Sequence, residues 1–231
     1  MSNSETRRAS PATERIFGVI LAGGKSRRFG RPKVLAALGG APMASWGMRA
    51  LQAAGLPVGV ISNEDGVEAV LGVQVRPDLE AGLGPIGGLW TALQWARERG
   101  DDGVLLLGCN MPLVSEALLR TVLGWSDDAP AVVPLGSEGP EPLCALYRAA
   151  CASAVEHRLH SEDRSMHGLA QAIGAVFIDE DAVAGVADPK IDFLNVNTVR
   201  ERNRVEHFLD TRRPGGTAGP TTLPGAKRGM R

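Results

Sequence analysis

The sequence predicts an α/β domain built on a mainly parallel sheet, and three observations predict it. Short apolar runs of strand character alternate with longer helix-like segments, the pattern of successive βα units. A glycine-rich, basic loop follows directly on the first of these runs. Three loops, 22–33, 78–88 and 109–112, come immediately after strand candidates, on the edge where open parallel sheets bind ligands. With 231 residues, 44% of them hydrophobic and 22% charged, the chain can bury one sizeable core, and a single domain is the natural count.

Taken in order, the first strand candidate is Ile16 to Leu21, and a helix-like stretch from Ala44 to Ala54 follows its loop. Val58 to Ser62 reads as a strand ending in the polar loop Asn63-Glu64-Asp65. A weaker run, Val73 to Val75, leads through Pro77 and Asp78 to GLGPIGG and a helix candidate from Leu89 to Arg99. Gly103 to Gly108 is the clearest central strand, because it is a continuous apolar run bounded by turn residues. It ends at Cys109-Asn110-Met111-Pro112 and precedes a helix candidate from Ser115 to Leu123. Ala131 to Pro134 and Ala175 to Ile178 are further strands, with helical segments at Ala149 to His157 and Val199 to Leu209. There is no internal repeat.

Residues 1–14 are polar and 211–231 are rich in Gly, Pro, Thr and basic residues, so both ends read as solvated tails around a domain at 15–210. The formal net charge of −1 supplies no overall positive field, which argues against nucleic acid as a partner and leaves any attraction for phosphate to a local patch. No segment approaches the ~18 uninterrupted apolar residues of a membrane span and the N-terminus carries no apolar signal core, so a cytoplasmic protein is expected. Cys109, Cys144 and Cys151 lack metal-ligand spacing and read as reduced thiols. His157, His160, His167 and His207 form no recognisable ligand set.

The chemistry concentrates in Leu21-Ala-Gly-Gly-Lys-Ser-Arg-Arg-Phe-Gly30-Arg-Pro-Lys33. Paired glycines let backbone N–H groups approach an anion closely, and Lys25, Arg27, Arg28, Arg31 and Lys33 can neutralise a triphosphate. A P-loop would need glycine at position 19, which is Val19, and the dinucleotide fingerprint G-x-G-x-x-G is not matched either. The alternative is an exposed basic turn.

This loop, continuing into VLAALGGAPM, resembles the signature of the nucleotidyltransferases that include molybdenum cofactor guanylyltransferase. The likeness runs through most of 16–208: Asn63 after the second strand, Asp78 before a loop containing Gly84-Pro85, a strand ending in CNMP, EPLCALYR at 141–148 and FLNVNT at 193–198. It implies a single-domain, Rossmann-like three-layer sandwich of the nucleotide-diphospho-sugar transferase type with a mixed, mainly parallel sheet. The implied reaction uses Mg²⁺ to join GMP from GTP to molybdopterin with release of pyrophosphate, and it implies transient contact with other molybdenum cofactor proteins.

By the matching motifs, Leu21, Ala22, Gly23 and Gly24 would hold base and phosphates. Arg28 and Lys33 would stabilise the charge that develops as pyrophosphate leaves, since such transfers depend on positioning and electrostatics rather than on a protein nucleophile. Asn63 and Asp78 fall where the family meets guanine and ribose; on residue type alone they are ordinary strand-end turn formers. Asn195 and Asn197, with Val196 packing inward between them, and Arg164 fall where the family faces the acceptor. The departure is Asn110: the family pattern has Asp there as the metal ligand, and an amide oxygen brings no charge. Glu141 replaces a His found in some members and has no assigned role. A CTP or sugar-phosphate nucleotidyltransferase, or a nucleotide-binding accessory homologue with impaired catalysis, are the alternatives.

Overall fold

Alternate residues along the central strands face two different helix layers, and that period of two is what makes the chain a sandwich. The computed structural model describes residues 14–23, 32–125 and 128–211. Its strands are β1 Ile16–Leu21, β2 Ala37–Leu38, β3 Ala41–Pro42, β4 Val58–Ile61, β5 Val75–Arg76, β6 Gly103–Gly108, β7 Ala131–Gly136, β8 Gly139–Pro140, β9 Cys144–Arg148 and β10 Val176–Ile178. The helices are α1 Met43–Ala53, α2 Val67–Leu71, α3 Pro85–Arg99, α4 Glu116–Gly124, α5 Ala152–Leu159, α6 Met166–Ala172, α7 Glu180–Ala184, α8 Pro189–Asp192 and α9 Val199–Thr211.

The main sheet has the order β10-β7-β9-β6-β1-β4-β5, with β8 paired to β7 and a separate β2–β3 hairpin. Every neighbour pair along this path is parallel except those of β9, which runs antiparallel to both β6 and β7. The mainly parallel, mixed sheet read from the sequence is therefore the sheet that forms. From β1 the chain steps outward to β4 and β5, then crosses back to β6 on the other side of β1. That reversal creates a switch point, and a crevice, at the carboxyl ends of β1 and β6.

One layer is α1, α4 and α7, whose Ala44, Met48, Leu51, Leu118, Leu119, Val122 and Val183 pack on Ile16, Ile20, Val60, Leu105, Leu107, Val132 and Leu146. The opposite layer is α3, α5 and α6, packed on Phe17, Val19, Leu21, Val104, Leu106 and Tyr147. Gly59 in β4 is required by close approach: a Cβ there would come within 2.4 Å of the Trp95 ring and 2.6 Å of Phe17. Those two rings meet edge to face, with centroids 4.9 Å apart. At the opposite edge of the sheet from the crevice, buried Arg148 is held by both carboxylate oxygens of Glu14, at 2.6 and 3.0 Å. Among the described residues, no helix is long and apolar enough to cross a membrane.

Candidate nucleotide-binding cleft

The carboxyl ends of β1, β4, β5 and β6 open onto a cleft of about 680 Å³. Its walls come from every strand-end loop singled out in the sequence: Leu21, Ala22, Gly23 and Lys33 after β1, Asn63 and Glu64 after β4, Asp78 to Pro85 after β5, and Gly108 to Asn110 after β6, with Leu143 and Asn197. The backbone there is tied strand to strand, Ala22 N–H donating to Ile61 O at 2.9 Å and Cys109 N–H to Leu21 O at 3.0 Å. Gly24 and Arg28, with Lys25 and Arg27, lie outside the described residues.

Asn63 and Asp78 form a reciprocal pair. Asn63 Nδ2 donates to Asp78 Oδ2 at 2.7 Å, and Asp78 N–H donates to Asn63 Oδ1 at 2.8 Å. Asn63 therefore spends both ends of its amide on Asp78. The group left over is Asp78 Oδ1, a buried acceptor with no partner among the described residues. Burial raises the Asp78 pKa above the ordinary carboxylate value, and the Asn63 hydrogen bond opposes that shift. The loop that follows is fastened to α3 through Thr91, whose Oγ1 accepts from Leu79 N–H at 3.0 Å and donates to Gly87 O at 2.9 Å.

Helix α3 begins at Gly84-Pro85, with proline in its first turn and no side-chain cap. Both residues line the cleft, so the positive end of the helix dipole faces it. On the other wall Lys33 Nζ donates to Asn197 Oδ1 at 2.7 Å. Burial lowers the Lys33 pKa, and the charges of Cys109 and then Glu201 oppose it. Cys109 itself is pushed up to about 11, chiefly by burial, and so stays a neutral thiol near neutral pH.

Asn110 turns its side chain back over Gly108, where a Cβ would come within 2.6 Å of Asn110 Oδ1. Its Nδ2 donates to Asn195 Oδ1, its backbone O accepts from Val196 N–H at 2.7 Å, and Asn195 Nδ2 donates to Phe193 O at 3.2 Å. Val196 is fully buried between the two asparagines. Asp102, at the opposite end of β6, stands one six-residue strand away, about 20 Å at ~3.3 Å per residue, and serves the backbone N–H of Arg15 instead.

The fold thus brings together Leu21, Ala22, Gly23, Lys33, Asn63, Asp78, Asn110 and Asn197, and joins Asn195 through Asn110. Arg164 does not line the cleft; it is exposed on the loop between α5 and α6. Glu64, Leu143 and Glu201 were not singled out as site residues in the sequence. For Glu201 the signal was legible, because Thr198-x-x-Glu201 is a capping-box pattern. A second hollow, of about 530 Å³, lies on α9 beside Arg200, Asn203, Arg204 and His207, with no strand ends or glycine loop among the described residues that line it.

Comparison with known proteins finds relatives over most of the chain. A family model described as a MobA-like NTP transferase domain matches residues 18–176. A probable molybdenum cofactor guanylyltransferase of Pelotomaculum thermopropionicum is 31% identical over 201 residues, 86% of this chain and 95% of its own. One of the same description from Bacillus licheniformis is 31% identical over 199 residues, 83% and 96% of the two chains. The crystal structure of molybdopterin-guanine dinucleotide biosynthesis protein A from Archaeoglobus fulgidus shares the fold, with a TM-score of 0.70 at 22% identity over 84% of this chain and 98% of that one.

Proposed function

The chain belongs to the MobA-like NTP transferase family, and from that premise we propose that it transfers GMP from GTP to the phosphate of molybdopterin. An oxygen of the acceptor phosphate attacks the α-phosphorus of GTP, the bond to the β-phosphate breaks, and pyrophosphate leaves. The observation that carries this reading is the convergence of Lys33, the Asn63–Asp78 pair, Asn110 and the α3 N-terminus on one cleft at the switch point. No side chain in the cleft has to act as nucleophile, because the acceptor brings its own. What the cleft supplies is placement and fixed positive charge.

The roles carry over from the matching motif and, for the described residues alone, from their place in the cleft. Leu21, Ala22, Gly23 and Gly24 carry the backbone that meets the nucleotide, and Arg28 and Lys33 meet the phosphates and the charge on departing pyrophosphate. Asp78 offers the base or ribose an acceptor, which suits the N–H edge of guanine or the sugar hydroxyls. In this reading Asn195 and Asn197 face the acceptor, whereas Arg164, exposed outside the cleft, has no part in the arrangement.

In this reading Asn110, through its Oδ1, would hold a divalent cation, Mg²⁺, which prefers oxygen ligands. Among the described residues no group of three or more His, Cys, Asp or Glu is arranged to hold a metal, so most of its ligands have to come from the nucleotide's phosphates and water. When bound it neutralises phosphate charge in the transition state.

Incubation with molybdopterin, Mg²⁺ and GTP labelled at the α-phosphate tests the proposal. Label is expected in a molybdopterin guanine dinucleotide; absence of transfer while GTP binds overturns the reading. A second reading rests on Asn110: without the carboxylate the chain would bind nucleotide as an accessory protein. Transfer seen only after Asn110→Asp would favour it.

A further inference from the structure

Segment 193–201 crosses the open end of the sheet and is pinned along its length. Just before it, Asp192 accepts from the Ser115 backbone N–H at 2.7 Å and from the Ser115 hydroxyl, at the N-cap of α4. In its middle, Asn195 and Val196 hold Asn110. At its end Thr198 and Glu201 close a capping box on α9, Glu201 N–H donating to Thr198 Oγ1 at 3.2 Å and Thr198 N–H to Glu201 Oε2 at 2.9 Å.

The same carboxylate reaches one residue further out. Glu201 Oε2 also accepts from Asn197 N–H, at 2.6 Å, which fixes the backbone of the residue whose side chain takes the Lys33 ammonium at 2.7 Å. A capping box needs only the bonds to Thr198, so the bond to Asn197 is extra to helix capping. A lysine loses several rotatable bonds' worth of freedom when it meets a phosphate, and restricting it beforehand removes part of that cost from binding. An ammonium carries three donors, so the bond to Asn197 does not exclude phosphate oxygens.

We propose that Asn197, held by Glu201, is a positioning residue for Lys33, so that the segment facing the acceptor also arranges the nucleotide side of the cleft. The inference rests on the proposed contact of Lys33 with the phosphate chain. It makes Asn197 a determinant of nucleotide affinity before any acceptor is present.

The test is calorimetric binding of GTP, GDP and GMP, with Mg²⁺ and without molybdopterin, to the full chain, with thermal melts to check folding. Asn197→Ala is expected to weaken GTP and GDP by about threefold to tenfold, the range of one hydrogen bond, and to leave GMP within about twofold. Glu201→Ala is expected to act in the same direction. Glu201→Gln, which keeps an acceptor for both N–H groups, should recover most of the loss. In a Lys33→Met background, Asn197→Ala should have no further effect on GTP.

Equal weakening of GMP and GTP, a further loss in the Lys33→Met background, or GTP affinity untouched by Asn197→Ala would each overturn the proposal. Because binding is measured without acceptor, the role of Asn197 is tested even in a chain that transfers nothing to molybdopterin.

Discussion

Asn110→Asp exchanges one amide nitrogen for a carboxylate oxygen, and the structure sets its effect on both stability and metal binding. Asn195 uses both ends of its amide, Nδ2 on Phe193 O at 3.2 Å and Oδ1 on Asn110 Nδ2. With a carboxylate at 110, Asn195 either faces it oxygen to oxygen or turns over and abandons Phe193. Either way about one hydrogen bond is lost, roughly 0.5–1.5 kcal/mol. At about 2–4 °C per kcal/mol for a domain of this size, Tm should fall by about 1–6 °C. Against that, a unit charge about 4 Å from another in an effective dielectric near 20 gains ~4 kcal/mol, part of which goes to stripping water from the carboxylate. A net gain of about 1.4–3 kcal/mol corresponds to roughly 10- to 100-fold tighter binding of Mn²⁺ to the GTP complex. Electron paramagnetic resonance of free Mn²⁺ measures the affinity, and a thermal melt measures the cost. Unchanged Mn²⁺ affinity would refute the placement of the cation beside residue 110, and an unchanged or higher Tm would refute the Asn110–Asn195 pairing.

Three further outcomes are expected. Lys33→Met should lower kcat by about 100- to 1,000-fold, the usual loss for a group that stabilises transition-state charge, with Tm nearly unchanged; a loss below tenfold would place the chemistry elsewhere. Glu14→Ala removes both carboxylate bonds from the buried Arg148 side chain, which is 9% exposed, and should cost about 2 kcal/mol, or about 4–8 °C in Tm, without changing the GTP affinity of the folded chain. Glu141 titrates at about 7 rather than 4.5, first because burial disfavours its charge and second because Glu138 lies near. Between those values the folded state keeps a proton that the unfolded state has released, so stability falls as pH rises through the window, and the whole cost is present above about 7. Glu141→Gln should therefore raise Tm at about pH 8 and lose that advantage near pH 4, as parallel melts would show; an equal difference at both pH values would contradict the assignment.

How far the sequence revealed the fold depended on how each element is buried. β1 and β6 are central and covered on both faces, so they read as unbroken apolar runs with the bounds later observed. β9 is as central and fully buried, but Cys144-Ala-Leu-Tyr runs without punctuation into the alanine-rich start of α5, and nothing separates strand from helix in the pattern. The β2–β3 hairpin is made of Ala, Leu, Gly and Pro, which carry little strand propensity, and α3 starts at Pro85, four residues before the apolar stretch that marked it. In the cleft, residues at strand ends were legible because a parallel sheet fixes which edge its loops share. Arg164 has no such constraint and stands apart. That Asn63 would be consumed by Asp78, and Asn197 by Lys33, depends on side-chain direction across 15 and 164 residues of chain, which a linear pattern does not carry.

Pyrophosphate release by the purified protein, given molybdopterin, Mg²⁺ and each of the four NTPs in turn, tests the central claim most directly. Release with GTP alone, dependent on molybdopterin and lost in Lys33→Met, is the result expected of the cleft at the β1–β6 switch point. Release with CTP instead, or none with any NTP despite measurable GTP binding, would contradict it.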